Sequence, residues 1–176
     1  GKIAFTTETV KKKLNVPGEI DNSLPWHALP TKERLGILDK ELSSIESLYR
    51  SNIDNYNKEA ALLYGRLREA WEAFIENDLL NSAVVRYEGS VHTQNLKEVE
   101  ITTNIYRQIH IAMSKCSMWM IGHDKAKSLD VNRPKPEEIK NDIDSLRKFS
   151  EEIRKRGDEL REEREDALEP KESEKG

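Results

Sequence analysis

Arg68 and Glu72 stand four positions apart in Arg66-Leu67-Arg68-Glu69-Ala70-Trp71-Glu72-Ala73-Phe74, the densest polar cluster of a 176-residue chain. On a helix that spacing puts both side chains on one face, about a turn apart. A guanidinium so placed can hold a phosphate while the neighbouring carboxylate shuttles a proton. The same spacing also makes an ordinary surface ion pair, worth only about 0.3–0.5 kcal/mol. His123 follows Gly122 at the expected end of a helix, with Asp124 next to it. An imidazole titrates near neutrality, so His123 is a candidate general acid or base; a histidine that caps a helix C-terminus would look the same. Arg86, Lys115 and Arg107 are candidates for a basic lining around Arg68. Arg86 and His92, with five residues between them, have the spacing of an all-helical ribonuclease motif.

Several chemistries have no residues to carry them. The sequence holds no GxxxxGK[ST] run, no GxGxxG, no HExxH and no CxxC. Without the first, no phosphate cradle of that type exists in the chain, so no ATPase activity is expected of it. The four histidines, His27, His92, His110 and His123, are too scattered for a helical metal pair. No metal and no cofactor is therefore assigned to these residues.

The elements that must position the candidates are helices. Leu35, Leu38, Leu42, Ile45 and Leu48 recur at 3-4-3-3 spacing, which predicts a helix over 31–49 with Thr31 as its cap. Ala60, Leu63, Leu67, Trp71, Phe74 and Ile75, continued by Leu79, Ala83 and Val84, predict a longer helix over 53–87, weakened at Gly65 and Asn81 and open to a break near Asn77-Asp78. The short link at 50–54 folds the two into an antiparallel hairpin. A third helix over 103–121 has Thr102 or Thr103 as its cap and a face of Ile105, Ile109, Ala112, Met113, Cys116 and Met120. Pro136 opens a fourth, whose seam is Ile139, Ile143, Leu146, Phe149 and Ile153. The expected class is all-α: a helical hairpin, a third helix packed on it, and a projecting charged C-terminal helix. The expected organisation is an irregular linker over 1–30 with a short strand at Ile3–Thr7, a helical core over 31–125, a Pro-rich linker over 126–136, a charged helix over 137–169 and a disordered tail over 170–176.

Composition agrees with long helices that bury one stripe. Charged residues make up 35% and apolar ones 36%, with a mean hydropathy of −0.79. With 29 basic and 33 acidic residues the net charge is −4, which is no global footprint for nucleic acid. No apolar run approaches the ~20 residues of a membrane helix. The lone Cys116 leaves no intrachain disulfide, which favours a cytoplasmic setting. The chain starts at Gly1 rather than Met, so a piece of a longer protein is expected.

Seven stretches, taken together, carry a resemblance: Leu24-Pro25-Trp26-His27-Ala28, Tyr64-Gly65-Arg66-Leu67-Arg68-Glu69-Ala70-Trp71-Glu72, Asp78-Leu79-Leu80-Asn81, Val84-Val85-Arg86-Tyr87, Val91-His92-Thr93-Gln94, Met113-Ser114-Lys115-Cys116-Ser117 and Gly122-His123-Asp124. In order and spacing this set resembles the C-terminal region of bacterial AAA-family ATPases of the PrrC/RloC-like group, coiled-coil P-loop proteins of anti-phage defence. The resemblance covers about residues 24–156. It implies an ATPase region N-terminal to this chain, with ATP and Mg²⁺ bound only there. It also implies a role as effector or regulator of that ATPase. Members of the group carry a metal-independent anticodon nuclease whose pattern is Arg-x3-Glu followed by His. Arg68 and Glu72 match the first part. His123 is the choice for the last, with His92 and His110 as alternatives. In that chemistry Glu72 accepts the ribose 2′-hydroxyl proton, His123 protonates the leaving 5′-oxygen and Arg68 stabilises the phosphate charge. The product is a 2′,3′-cyclic phosphate on tRNA. The rival expectation is a non-catalytic module that dimerises with a second copy or docks on its own ATPase region.

Overall fold

A computed structural model describes residues 9–13, 16–21, 24–86, 88–120 and 134–168. The class is all-α, and a small β-hairpin precedes the helical body. Strand β1 (Thr9–Lys13) pairs antiparallel with β2 (Val16–Asp21), with Val10 opposite Ile20 and an irregularity between Lys11 and Lys13. At Thr9–Lys13 and Val16–Asp21 this corrects the expectation of an irregular linker. The strand expected at 3–7 lies outside the described residues, as do residues 126–133 of the linker and the tail at 170–176.

The helical body begins at a 3-10 turn (Trp26–Ala28) and continues as α1 (Thr31–Ile45), the short α2 (Leu48–Ser51), α3 (Ile53–Phe74), α4 (Thr103–Trp119) and α5 (Pro136–Leu168). The apolar periodicity reads through directly. Leu35, Leu38, Leu42 and Ile45 of α1, Leu63, Leu67, Trp71 and Phe74 of α3, and Ile139, Ile143, Leu146 and Phe149 of α5 form one buried core. Contacts fix the directions. Arg34 reaches the Glu69 carbonyl and Glu41 pairs with Arg66, so α1 runs antiparallel to α3. Tyr56 donates to the Pro134 carbonyl at 2.5 Å and Tyr64 to Asp142 at 2.7 Å, while Asp78 takes Ser150 at 3.0 Å. Helix α5 therefore runs parallel to α3. Asp39 on α1 binds Lys140 (2.9 Å) and Arg147 (2.5 Å) on α5, closing the third side of the bundle.

Several boundaries differ from expectation, and α1 itself stops at Ile45 rather than 49, with the short α2 separate from it. Pro30, not Thr31, occupies the α1 cap position, and it offers no side-chain bond. Thr31 is fully buried at the first helical position, with its hydroxyl unpaired among the described residues. Helix α3 stops at Phe74 and loosens into a π-helical turn (Ile75–Leu79) instead of running to 87. Asn81 and Ser82 then turn the chain at φ of 44° and 54°. Left-handed backbone ends a helix, and Asn tolerates it better than most residues. The charged C-terminal helix projects only at its end. Through Leu160 it stays packed, and its exposed last residues begin at Glu165.

The caps of α3 and α4 follow local chemistry. Asn52 accepts from the Asn55 amide at 3.1 Å, and Thr102 accepts from Ile105 at 3.2 Å. Gly36 and Gly65 sit inside helices with open space where a Cβ would stand. Gly36→Ala and Gly65→Ala should each raise stability by about 0.5–1 kcal/mol in urea unfolding. Gly157 is different, because a Cβ there would stand 3.3 Å from the Glu98 carbonyl oxygen. Gly157→Ala should gain less than the other two or lose stability.

Candidate functional site

The outer face of α3 presents Arg68, Glu69 and Glu72, since residues three and four apart share one helical face, and the π-helical turn that follows carries Glu76 beside them. Glu72 sits between two guanidinium groups. Arg68 Nε approaches one carboxylate oxygen at 3.4 Å, and Arg86 approaches the other at 3.5 Å. Arg86 is held more firmly by Glu76, through Nε at 2.8 Å and through its own backbone N–H at 3.0 Å. These bonds to Glu76 hold the Arg86 guanidinium above its usual range, against a smaller opposing effect of burial. Arg68 also donates to the Ser117 hydroxyl on α4, which in turn donates to the Met113 carbonyl at 2.8 Å. One continuous ionic and hydrogen-bonded path thus runs from α4 across α3 to the segment that carries Arg86.

Beside this path lies a cleft of about 630 Å³, lined by Trp26, His27, Arg34, Glu72, Glu76 and Arg86 among others. Its floor is set by Arg34, which is only 7% exposed. The guanidinium donates to three backbone carbonyls, Leu29 at 2.8 Å, His27 at 2.7 Å and Glu69 at 2.9 Å. Burial lowers the pKa of Arg34, and Glu69 opposes that effect. Trp26 donates its indole N–H to Glu69, and its ring lies under both Arg34 (5.2 Å) and Arg66 (5.5 Å). The 24–30 segment is thereby stapled to α1 and α3, and the exposed His27 ring is carried at the rim.

The expected site residues divide into groups. Arg68, Glu72 and Arg86 come together. Lys115 faces away from them and binds Asp142 of α5 at 2.7 Å, beside the Tyr64 hydroxyl. Arg107 is exposed on α4 and makes no ion pair among the described residues. His92 binds Glu88 at 2.9 Å, and His110 stacks on Tyr106 at 5.9 Å; neither lines the cleft. His123 lies outside the described residues. Among the described residues, His27 is the histidine that shares the cleft with Glu72. The spacing argument passed over Arg34, Glu69, Glu76 and His27. Arg34 did leave a signal, because it falls four before Leu38 and so sits on the apolar stripe of α1.

No three His, Cys, Asp or Glu side chains among the described residues gather as a metal-binding group. Cys116 is buried where α4 meets α3 and α5, with Leu67, Trp71 and Asp142 around it. Burial, with the Asp142 charge, pushes its thiol up to about 12. Native protein at pH ~8 should react with a thiol reagent at least ~100-fold more slowly than unfolded protein, because the thiolate is the reactive form. Comparable rates would show that the site opens readily.

Among the described residues no helix is long and apolar enough to cross a membrane. No protein-family model matches the chain, no curated protein matches it, and no solved structure matches it.

Proposed function

We propose that this chain is a helical regulatory module of a coiled-coil P-loop ATPase in anti-phage defence, and that it works by docking on that ATPase rather than by cutting RNA. One observation carries the preference. The guanidinium groups around Glu72 are already engaged by protein acceptors: Arg34 by three carbonyls, Arg86 by Glu72 and Glu76, Arg68 by Glu72 and Ser117. A phosphate entering the cleft would have to displace a carboxylate from a formed pair, and Glu69, Glu72 and Glu76 would repel it. The cluster reads as a brace that fixes the 24–30 and 84–86 segments on α3.

Docking has apolar surface to use. Helix α4 buries only Ile105 and Cys116 and leaves Ile111 (60% exposed) and Met118 (41%) seven residues apart on its outward face. Titrating the chain into its ATPase region should give saturable binding, weakened at least ~10-fold by Ile111→Asp with Met118→Asp. Absent binding, or binding indifferent to these changes, contradicts the docking proposal.

A second reading, the metal-independent tRNA endoribonuclease, is favoured by one specific arrangement. Glu72 and His27 line the same cleft, with Arg68 in contact with Glu72. A carboxylate, an imidazole and a guanidinium suffice in principle for 2′-hydroxyl attack on a phosphodiester. The expected His123 belongs to this reading too.

A further inference from the structure

Residues 93–101 are held on the molecule almost wholly by charge. Their 3-10 turn (Thr93–Glu98) buries none of its residues, and Leu96 and Ile101 turn outward, 49% and 60% exposed. What binds them is the distal half of α5. Arg161 meets Glu98 at 3.1 Å, Arg156 meets Glu100 at 3.2 Å, and Lys97 pairs with Glu165. Arg164 donates to the carbonyls of Leu96 (2.8 Å), Lys97 (2.8 Å) and Val99 (3.2 Å) at the end of the turn. At Gly157 the helix has no side chain, and there the Glu98 backbone comes closest.

The inner edge of this segment grips the left-handed corner. Glu98 accepts from the Asn81 amide at 2.7 Å, and the Asn95 amide donates to the Asn81 carbonyl at 2.9 Å. The corner then leads within four residues to Arg86 and its contacts with Glu76 and Glu72. Non-glycine residues at positive φ are costly and persist only where surrounding contacts hold them.

We propose that residues 93–101 are an ionic strap that couples the distal half of α5 to the Glu72 brace: while the strap lies on Arg156, Arg161 and Arg164 the corner at Asn81-Ser82 is held and Arg86 stays on Glu76 and Glu72; when it lifts, Arg86 is released and the cleft opens. Two physical reasons make this a separable element. Each exposed pair contributes little, so the strap is held weakly compared with the apolar core. Its pairs are screened by salt, whereas the buried α1–α3–α5 core is not. Any force or competitor acting on the distal part of α5 is thereby felt at Glu72, although no apolar core residue moves.

Amide exchange measured by NMR tests this on the whole chain. Between about 0.05 and about 0.5 M NaCl, exchange should quicken at least ~10-fold at Asn95 and Val99, and in parallel at Arg86 and His92. The Arg86 and His92 amides donate to the Glu76 carboxylate and the Ala83 carbonyl. Amides of Leu63–Trp71 should stay unchanged, which reports the intact core. Glu98→Lys should reproduce the high-salt pattern at low salt, and Glu98→Lys with Arg161→Glu should restore protection at Asn95 and Val99 but only part of it at Arg86 and His92, because a lysine at 98 cannot accept from the Asn81 amide. A strap insensitive to salt overturns the ionic part. A strap that loosens while Arg86 and His92 keep their protection overturns the coupling.

Discussion

Alanine at Phe74 is expected to cost about 3–5 kcal/mol in urea unfolding, the largest single effect in the molecule. Phe74 is fully buried where the π-helical turn takes over from α3. Its ring lies 5.6 Å from Trp71 in an edge-on arrangement and 5.3 Å from Phe149 of α5, and Trp71 and Phe149 are themselves 6.0 Å apart. Removing it empties the centre of an aromatic trio that fastens α5 to α3, and well-packed surroundings collapse only partly into such a void. Each ring pair adds about 0.5–1.5 kcal/mol beyond area burial. Val84→Ala, on an exposed side chain ten residues later, should stay within about 0.5 kcal/mol. A Phe74→Ala loss below about 1 kcal/mol would mean that α5 does not pack here.

Arg34→Ala should be the next most damaging change, at about 2–4 kcal/mol, because it leaves three carbonyls without their charged donor in a part-buried place. The loss should be local first. The 24–30 segment should detach and Trp26 should lose its contacts with the guanidinium groups, seen as a red-shifted indole emission. Arg34→Lys should not rescue it, since one ammonium cannot span acceptors arranged for a planar fork. Full rescue by lysine would show that charge alone matters at this position.

The stripes of α1, α3 and α5 were legible in the sequence because each is an unbroken run of apolar residues at helical spacing. Helix α4 was legible in the same way, and of its two candidate caps, Thr102 and Thr103, the first takes the place. What the periodicity could not show was where α3 stops. Leu79 and Ala83 continue the apolar stripe and are buried, yet they reach the core through a π-helical turn and a left-handed corner, so burial persists after the helix has ended. The hairpin at 9–21 was missed because its signal is short and interrupted by Pro17 and Gly18. For the candidate site, the four-residue spacing of Arg68 and Glu72 correctly predicted their contact. It could not give the partners that decide its meaning. Arg86, Glu76 and Ser117 arrive from segments 4 to 45 residues away from Glu72, positions that only packing determines. Lys115 illustrates the limit: two residues before Ser117, it lies on another side of α4 and answers to Asp142.

The most direct measurement is incubation of the purified chain, alone and joined to its ATPase region, with total tRNA in the presence of a chelator. The Glu72 brace predicts no cleavage above background, and identical RNA profiles for the wild type and Glu72→Gln. Fragments ending in 2′,3′-cyclic phosphate that the wild type produces and Glu72→Gln does not would contradict it, and would make the cleft on α3 a nuclease site.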